Sequence, residues 1–209
     1  VADTMQLIVT GPNAWYQTYD VVGLNSNIAF VYADEIEIDD ENNNELLDYD
    51  ENISFNMNFY NPGLANADNV TATLTTNSPE YVELTNSEAN IGSLNAGSEK
   101  NINEAFSFKV KDNVPDQEYA FFTMTITDGN NTWNQELVYR IQAPVFEFFD
   151  VSYSDHLSDN NGFVDAGETI TVEFKIRNVG SSKTDEISVE AFSSNSYVTF
   201  EDNILELGS

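Results

Sequence analysis

Five oxygen-bearing residues and one leucine mark out a single acidic stretch: Asp40, Asn42, Asn44, Leu46, Asp48 and Glu51. Counted from Asp40 they stand at positions 1, 3, 5, 7, 9 and 12, the ligand positions of a twelve-residue calcium loop in which the seventh residue offers its backbone carbonyl. Calcium takes six to eight oxygens at ~2.3–2.6 Å, and short Asp and Asn side chains on alternate residues can converge on one point. Such loops usually carry Gly at position 6; Glu45 stands there, so a looser turn is expected. A second set lies further along, where Asp159, Asn161, Gly162, Asp165 and Glu168 fill positions 3, 5, 6, 9 and 12. Position 1 is then Leu157, so Asp155 has to substitute or a ligand is lost. The competing reading is an Asx-rich turn whose side chains bond their own backbone and hold nothing. Acids in both places favour structural Ca2+, and Mg2+ suits the loops less because it keeps octahedral, water-rich sites. No helical pattern flanks either loop, so the ion is expected to pin a sheet edge rather than to work a switch.

Other chemistry is sparse. The chain of 209 residues has no Cys, which excludes disulfides, thiolate metal sites and cysteine nucleophiles. Its one histidine, His156, reads as a surface residue beside the second acidic turn. Asp+Glu number 36 against 7 Lys+Arg, a net charge of -29, so paired carboxylates arise by chance and do not point to a glycosidase. That charge repels phosphate backbones and anionic lipid, and no apolar run approaches the ~20 residues of a membrane span, so neither nucleic acid nor membrane insertion is expected. Trp15, Tyr16 and Tyr19, with Trp133 at a comparable place later on, suit a carbohydrate-stacking platform or, preferably, packing between neighbouring domains.

The elements that carry these residues repeat. Glu51-Asn52-Ile53-Ser54-Phe55-Asn56-Met57-Asn58-Phe59-Tyr60-Asn61-Pro62-Gly63 matches the run from Glu168 to Gly180, a spacing of about 117 residues (51 to 168). Asn43 to Asp48 matches Asn160 to Asp165, Asp68-Asn69-Val70 matches Asp185-Glu186-Ile187, and Ile91-Gly92-Ser93 matches Leu207-Gly208-Ser209 after one deletion. Asn61-Pro62-Gly63 and Asn178-Val179-Gly180 read as turns whose Gly tolerates positive φ. The runs alternate with period two: Ile53, Phe55, Met57 and Phe59 on one face, then Val70, Ala72 and Leu74, then Phe106, Phe108 and Val110, then Ala120, Phe122, Met124 and Ile126. Asp128-Gly129-Asn130-Asn131 supplies a turn before a last strand from Trp133 to Ile141. Seven or eight short strands in one unit predict an all-β fold of tandem immunoglobulin-like β-sandwich domains. The expected division is residues 1–27 as the terminal hairpin of a preceding copy, 28–143 as a complete sandwich, and 144–209 as a partial second copy lacking its last strands. Gln142-Ala143-Pro144 is the linker. No signal peptide is visible, and the partial copies suggest a piece of a longer multidomain protein.

The series from Asp159 to Glu168 and from Val172 to Gly180 resembles the immunoglobulin-like repeats of large bacterial exported surface proteins. The opening Ala2-Asp3-Thr4-Met5-Gln6-Leu7-Ile8-Val9-Thr10-Gly11-Pro12-Asn13, with Tyr19-Asp20-Val21, resembles the end of the immunoglobulin-like domain that follows the catalytic domain in gingipain-type cysteine peptidases. The resemblance implies a non-catalytic region downstream of such a peptidase, secreted or held on the outer surface of a Gram-negative bacterium. The family's catalytic Cys and His have no position here, so the fragment is not expected to be an enzyme. The expected function is a spacer or accessory module stiffened by calcium, the alternative an adhesive or carbohydrate-binding surface module. Its expected partners are the neighbouring domains of the parent chain and, by strand exchange through the N-terminal hairpin, another copy of itself.

Overall fold

The computed structural model describes residues 27–184 and 186–208, together with the backbone of two strands before them. Those two, β1 (Thr4–Val9) and β2 (Gln17–Val22), form an antiparallel pair with Met5 opposite Val21. Every regular element among the described residues is a strand.

Alternation decides the next nine. They are β3 (Tyr32–Asp40), β4 (Leu47–Asp48), β5 (Asn52–Tyr60), β6 (Ala67–Thr76), β7 (Val82–Asn86), β8 (Glu88–Leu94), β9 (Glu99–Val110), β10 (Tyr119–Thr127) and β11 (Thr132–Gln142). One sheet has the order β3-β5-β9-β7 and the other β4-β11-β10-β6-β8. In β5 and β10 every second residue is buried, as the sequence pattern requires of strands with one wet face. The buried sides of both sheets contribute to one apolar core, the arrangement of a β-sandwich. Its centre is aromatic: Phe55 stands 5.0 Å from Phe108, 6.0 Å from Phe122 and 5.1 Å from Tyr139, ring centre to ring centre. Five phenylalanines are fully buried, and at roughly 1.5–3 kcal/mol each they dominate the hydrophobic stabilisation of this unit. Strands number nine rather than seven or eight, because the stretch from Val82 to Leu94 breaks at Ser87. Its first half pairs with β9 in one sheet and its second half with β6 in the other.

The acidic loop is a sheet crossing. The chain leaves the first sheet at the end of β3, joins the second through β4, which runs parallel to β11, and returns as β5. Loop 41–46 therefore spans the gap between the layers.

Beyond Ala143 come β12 (Phe146–Ser154) and β13 (Thr171–Asn178), then β14 (Glu186–Glu190) and β15 (Ile204–Gly208). β12 pairs with β13 and β14 with β15, each as a two-stranded antiparallel sheet. Large apolar side chains on these strands remain exposed, Phe148 at 59% and Val172 at 53%. Phe55, which matches Val172 in the sequence register, is 0% exposed in the nine-stranded unit.

The two Asn-x-Gly corners are not positive-φ turns. Neither Gly63 nor Gly180 has a left-handed φ. Glycine is required by close approach instead: a Cβ on Gly63 would lie 2.6 Å from the Ile28 carbonyl and 2.7 Å from the Phe30 nitrogen, and one on Gly180 would strike Ala143 and Val145. Asn61 Oδ1 accepts from Phe30 N–H and Gly63 N–H, as Asn178 Oδ1 does from Val145 N–H and Gly180 N–H.

Candidate metal centre

Three backbone positions shape each acidic loop. Asn43, Glu45 and Asp50 have φ of 58°, 61° and 57°; Asn160, Gly162 and Gly167 have 56°, 86° and 91°. Glu45 adopts the left-handed conformation itself, at a cost of about 1 kcal/mol that Gly162 avoids. The turn is held by Asp40, whose two carboxylate oxygens accept from Asn44 N–H (3.1 Å) and Glu45 N–H (2.6 Å). In the second loop the Gly162 N–H donates to Asp155 Oδ2 at 2.8 Å. Asp155 thus fills the place of Asp40, and both are buried, at 5% and 7% exposed.

The remaining predicted ligands divide. Asn44 Nδ2 donates to Asp48 Oδ2 at 2.7 Å, and Asn161 Nδ2 to Asp165 Oδ2 at 3.2 Å. Asn42 Nδ2 donates to Asp48 as well, at 3.0 Å. The Leu46 N–H donates to Asn44 Oδ1, and Leu46 itself is exposed. Glu51 reaches back to accept from Asp48 N–H and Asn42 N–H, and Glu168 accepts from Asp165 N–H at 2.7 Å. Asp40, Asp48 and Glu51 are all buried. Desolvation raises the Glu51 carboxyl above its ordinary range, and the charges of Asp40 and Asp48 add to it; the two N–H bonds oppose the rise without cancelling it.

Among the described residues one set of three carboxylates has oxygens within 4.8 Å of one another: Asp155, Asp159 and Glu168. These belong to the second loop. Asp159 and Glu168 were legible from spacing, whereas Asp165 stands outside the set, its Oδ2 taken up by Asn161. Asp155, the substitute considered for position 1, stands two residues before Leu157 because the second loop is two residues longer. The strand register shows the offset: Tyr32 opposite Tyr60 corresponds to Glu147 opposite Arg177, a shift of 115 (32 to 147) on one strand and 117 (60 to 177) on the other. Chemically, three hard oxygen donors on a short loop can hold a divalent cation such as calcium.

The other singled-out residues take plain positions. His156 is exposed, with Nδ1 3.0 Å from Ser154 Oγ, while Ser154 Oγ also accepts the His156 N–H in a local turn. Trp15 and Tyr16 lie outside the described residues, and Tyr19 is described only as backbone of β2, opposite Leu7. Trp133 is half-buried on β11, its ring centre 6.4 Å from that of Phe30. Neither a protein-family model nor a curated protein sequence matches the chain.

Proposed function

We propose that the chain is a non-catalytic module of tandem immunoglobulin-like sandwiches that spaces or stabilises the catalytic domain of an exported bacterial protein of the gingipain type, and that calcium stiffens its strand crossings. One observation carries the reading. The hairpin β3–β5, with its register, its bulge after Ala33, its acidic loop and its Asn-x-Gly corner, recurs at β12–β13, where the bulge follows Phe148. In the orders β3-β5-β9-β7 and β4-β11-β10-β6-β8, β3, β5 and β9 take the places of A, B and E and β11, β10 and β6 those of G, F and C, while β7 and β8 fill the D and C′ places in the reverse of the immunoglobulin chain order. On this reading residues 1–27 end a preceding copy, and residues 144–209 begin a following one whose exposed apolar face meets further strands. Those strands come from the parent chain or from the β1–β2 hairpin of a second molecule. Sedimentation of the chain at high concentration tests the latter, and a purely monomeric species removes it.

The calcium part is tested by thermal unfolding in chelator and in about 10 mM calcium. A site with Kd of ~0.1–1 mM then stabilises the fold by roughly 1.4–2.7 kcal/mol. Asp159→Ala removes an exposed carboxylate that accepts from Asn161 N–H and Nδ2, so it is expected to lower the chelated melt slightly and to remove the second loop's share of the calcium shift. Identical melts of the parent chain in calcium and in chelator would reduce both loops to Asx turns.

A further inference from the structure

Four aromatic rings run in a row along one corner of the nine-stranded unit. Ring centres are 6.4 Å apart from Trp133 to Phe30, 5.9 Å from Phe30 to Tyr32 and 5.9 Å from Tyr32 to Tyr60. All four are half-buried, unlike the core phenylalanines. Beside them lies a cleft of about 270 Å3, lined by Phe30, Val31, Tyr32, Trp133, Asn134 and Gln135. Its wall is tied to β3: the Gln135 side chain accepts from the Ala33 N–H and donates to the Ala33 carbonyl, both at 3.1 Å.

The equivalent corner of β12 and β13 indicates what such a place accommodates. Where Tyr32 faces Tyr60, Glu147 faces Arg177. Arg177 Nη2 lies 3.0 Å from Glu147 Oε2, and its guanidinium sits over the Phe149 ring at 5.5 Å. A carboxylate, an aromatic face and a guanidinium therefore meet at one strand register. In the β3–β5 corner the rings and an acid are present: Asp34 occupies the bulge position that Phe149 takes, and its charge, after desolvation, raises the Tyr32 phenol. Among the described residues no Lys or Arg pairs with Asp34, and the first basic residue of the whole chain is Lys100. The aromatic row is not demanded by the strand pairing, since an ion pair serves at the same register in β12–β13. Charge also selects the occupant: a chain of net charge -29 attracts cations, and rings beside a carboxylate favour a guanidinium.

We propose that the cleft beside Phe30, Tyr32 and Trp133 binds an arginine side chain of a partner polypeptide, the rings supplying a cation–π face and Asp34, at the β3 bulge outside the cleft's lining, the countercharge. The proposal stands apart from the calcium reading and is tested in chelator, so that the failure of one leaves the other intact. In a Trp15→Phe background Trp133 is the sole tryptophan and reports on the cleft. The probe is a capped Gly-Arg-Gly peptide, and its control is the citrulline peptide, alike in shape but neutral. A saturable change in Trp133 fluorescence is expected with arginine and roughly fivefold weaker binding with citrulline. Asp34→Asn, at an exposed residue that leaves the fold intact, is expected to weaken arginine binding roughly two- to fivefold, as is raising the salt from about 0.05 to 0.5 M. Equal binding of the two peptides, no change up to about 20 mM peptide, or saturation by a neutral oligosaccharide instead would overturn the proposal.

Discussion

At the scale of single residues the acidic loops carry both strain and buried charge, and each has a measurable consequence. Glu45 sits at φ 61° where its counterpart is Gly162, so Glu45→Gly is expected to stabilise the chelated protein by roughly 0.5–1 kcal/mol in denaturant melts. Glu51 is the clearer titration probe. Burial raises its carboxyl first and the nearby acids next, so the folded state holds that proton more tightly than the unfolded chain does. Its ionisation therefore costs stability progressively as pH rises past the ordinary carboxyl value of 4.5. Without calcium, the Tm is expected to climb as pH is lowered through the raised value of Glu51 toward 4.5, and Glu51→Gln to flatten that slope. A slope unchanged in the variant would place the effect elsewhere. The alternation of Asp and Asn was legible in the sequence because ligand chemistry depends on residue type and spacing. Asp155 could be named as the substitute for position 1, but the choice between substitution and a lost ligand was not legible, since it turns on a two-residue difference in loop length that the strand register fixes.

Strands and corners obey packing more than local chemistry. Phe55 touches Phe108, Phe122 and Tyr139 at the centre of the core, and Phe55→Ala is expected to cost about 3–5 kcal/mol by urea denaturation. Phe148→Ala, at a side chain 59% exposed, should stay within about 0.5 kcal/mol in the same assay. A larger loss there would mean that further strands cover β12 in solution. Gly63→Ala brings a methyl against the Ile28 carbonyl and is expected to cost roughly 1–3 kcal/mol, although its φ is unstrained. Period-two patterning located β5, β6, β9 and β10, and the turn at Asp128–Asn131 placed β11 after them, because both signals are local to a short stretch of sequence. The Val82–Leu94 stretch was opaque: a strand that changes sheets keeps its alternation, and only its partners reveal the switch.

For the whole molecule, the junction at Ala143 joins the nine-stranded unit to the β12–β13 hairpin. Asp116 Oδ1 accepts from Ala143 N–H at 3.0 Å and from the Ser181 hydroxyl. Desolvation alone would raise the Asp116 carboxyl, yet the bonds from Ser181, Ala143 and Gln117 outweigh it and hold the group below its ordinary range. Folded Asp116 thus adds stability above the ordinary carboxyl range and loses it as pH falls through its lowered value. Asp116→Ala is expected to leave the core melt nearly unchanged while raising tryptic cleavage at exposed Lys183 roughly fivefold. Cleavage at the parent rate would show that the junction does not depend on this carboxylate. The sequence by itself determined the all-β class, the strand faces and the two acidic loops, since each arises from the order of apolar and oxygen-bearing side chains along a short stretch. Tertiary structure alone decided which carboxylates meet, why the corner glycines are needed and that four aromatics gather at one edge. Those are distances between segments far apart in the chain, and they are fixed by pairing register, by the crossing of strands between sheets and by the space left when two layers close.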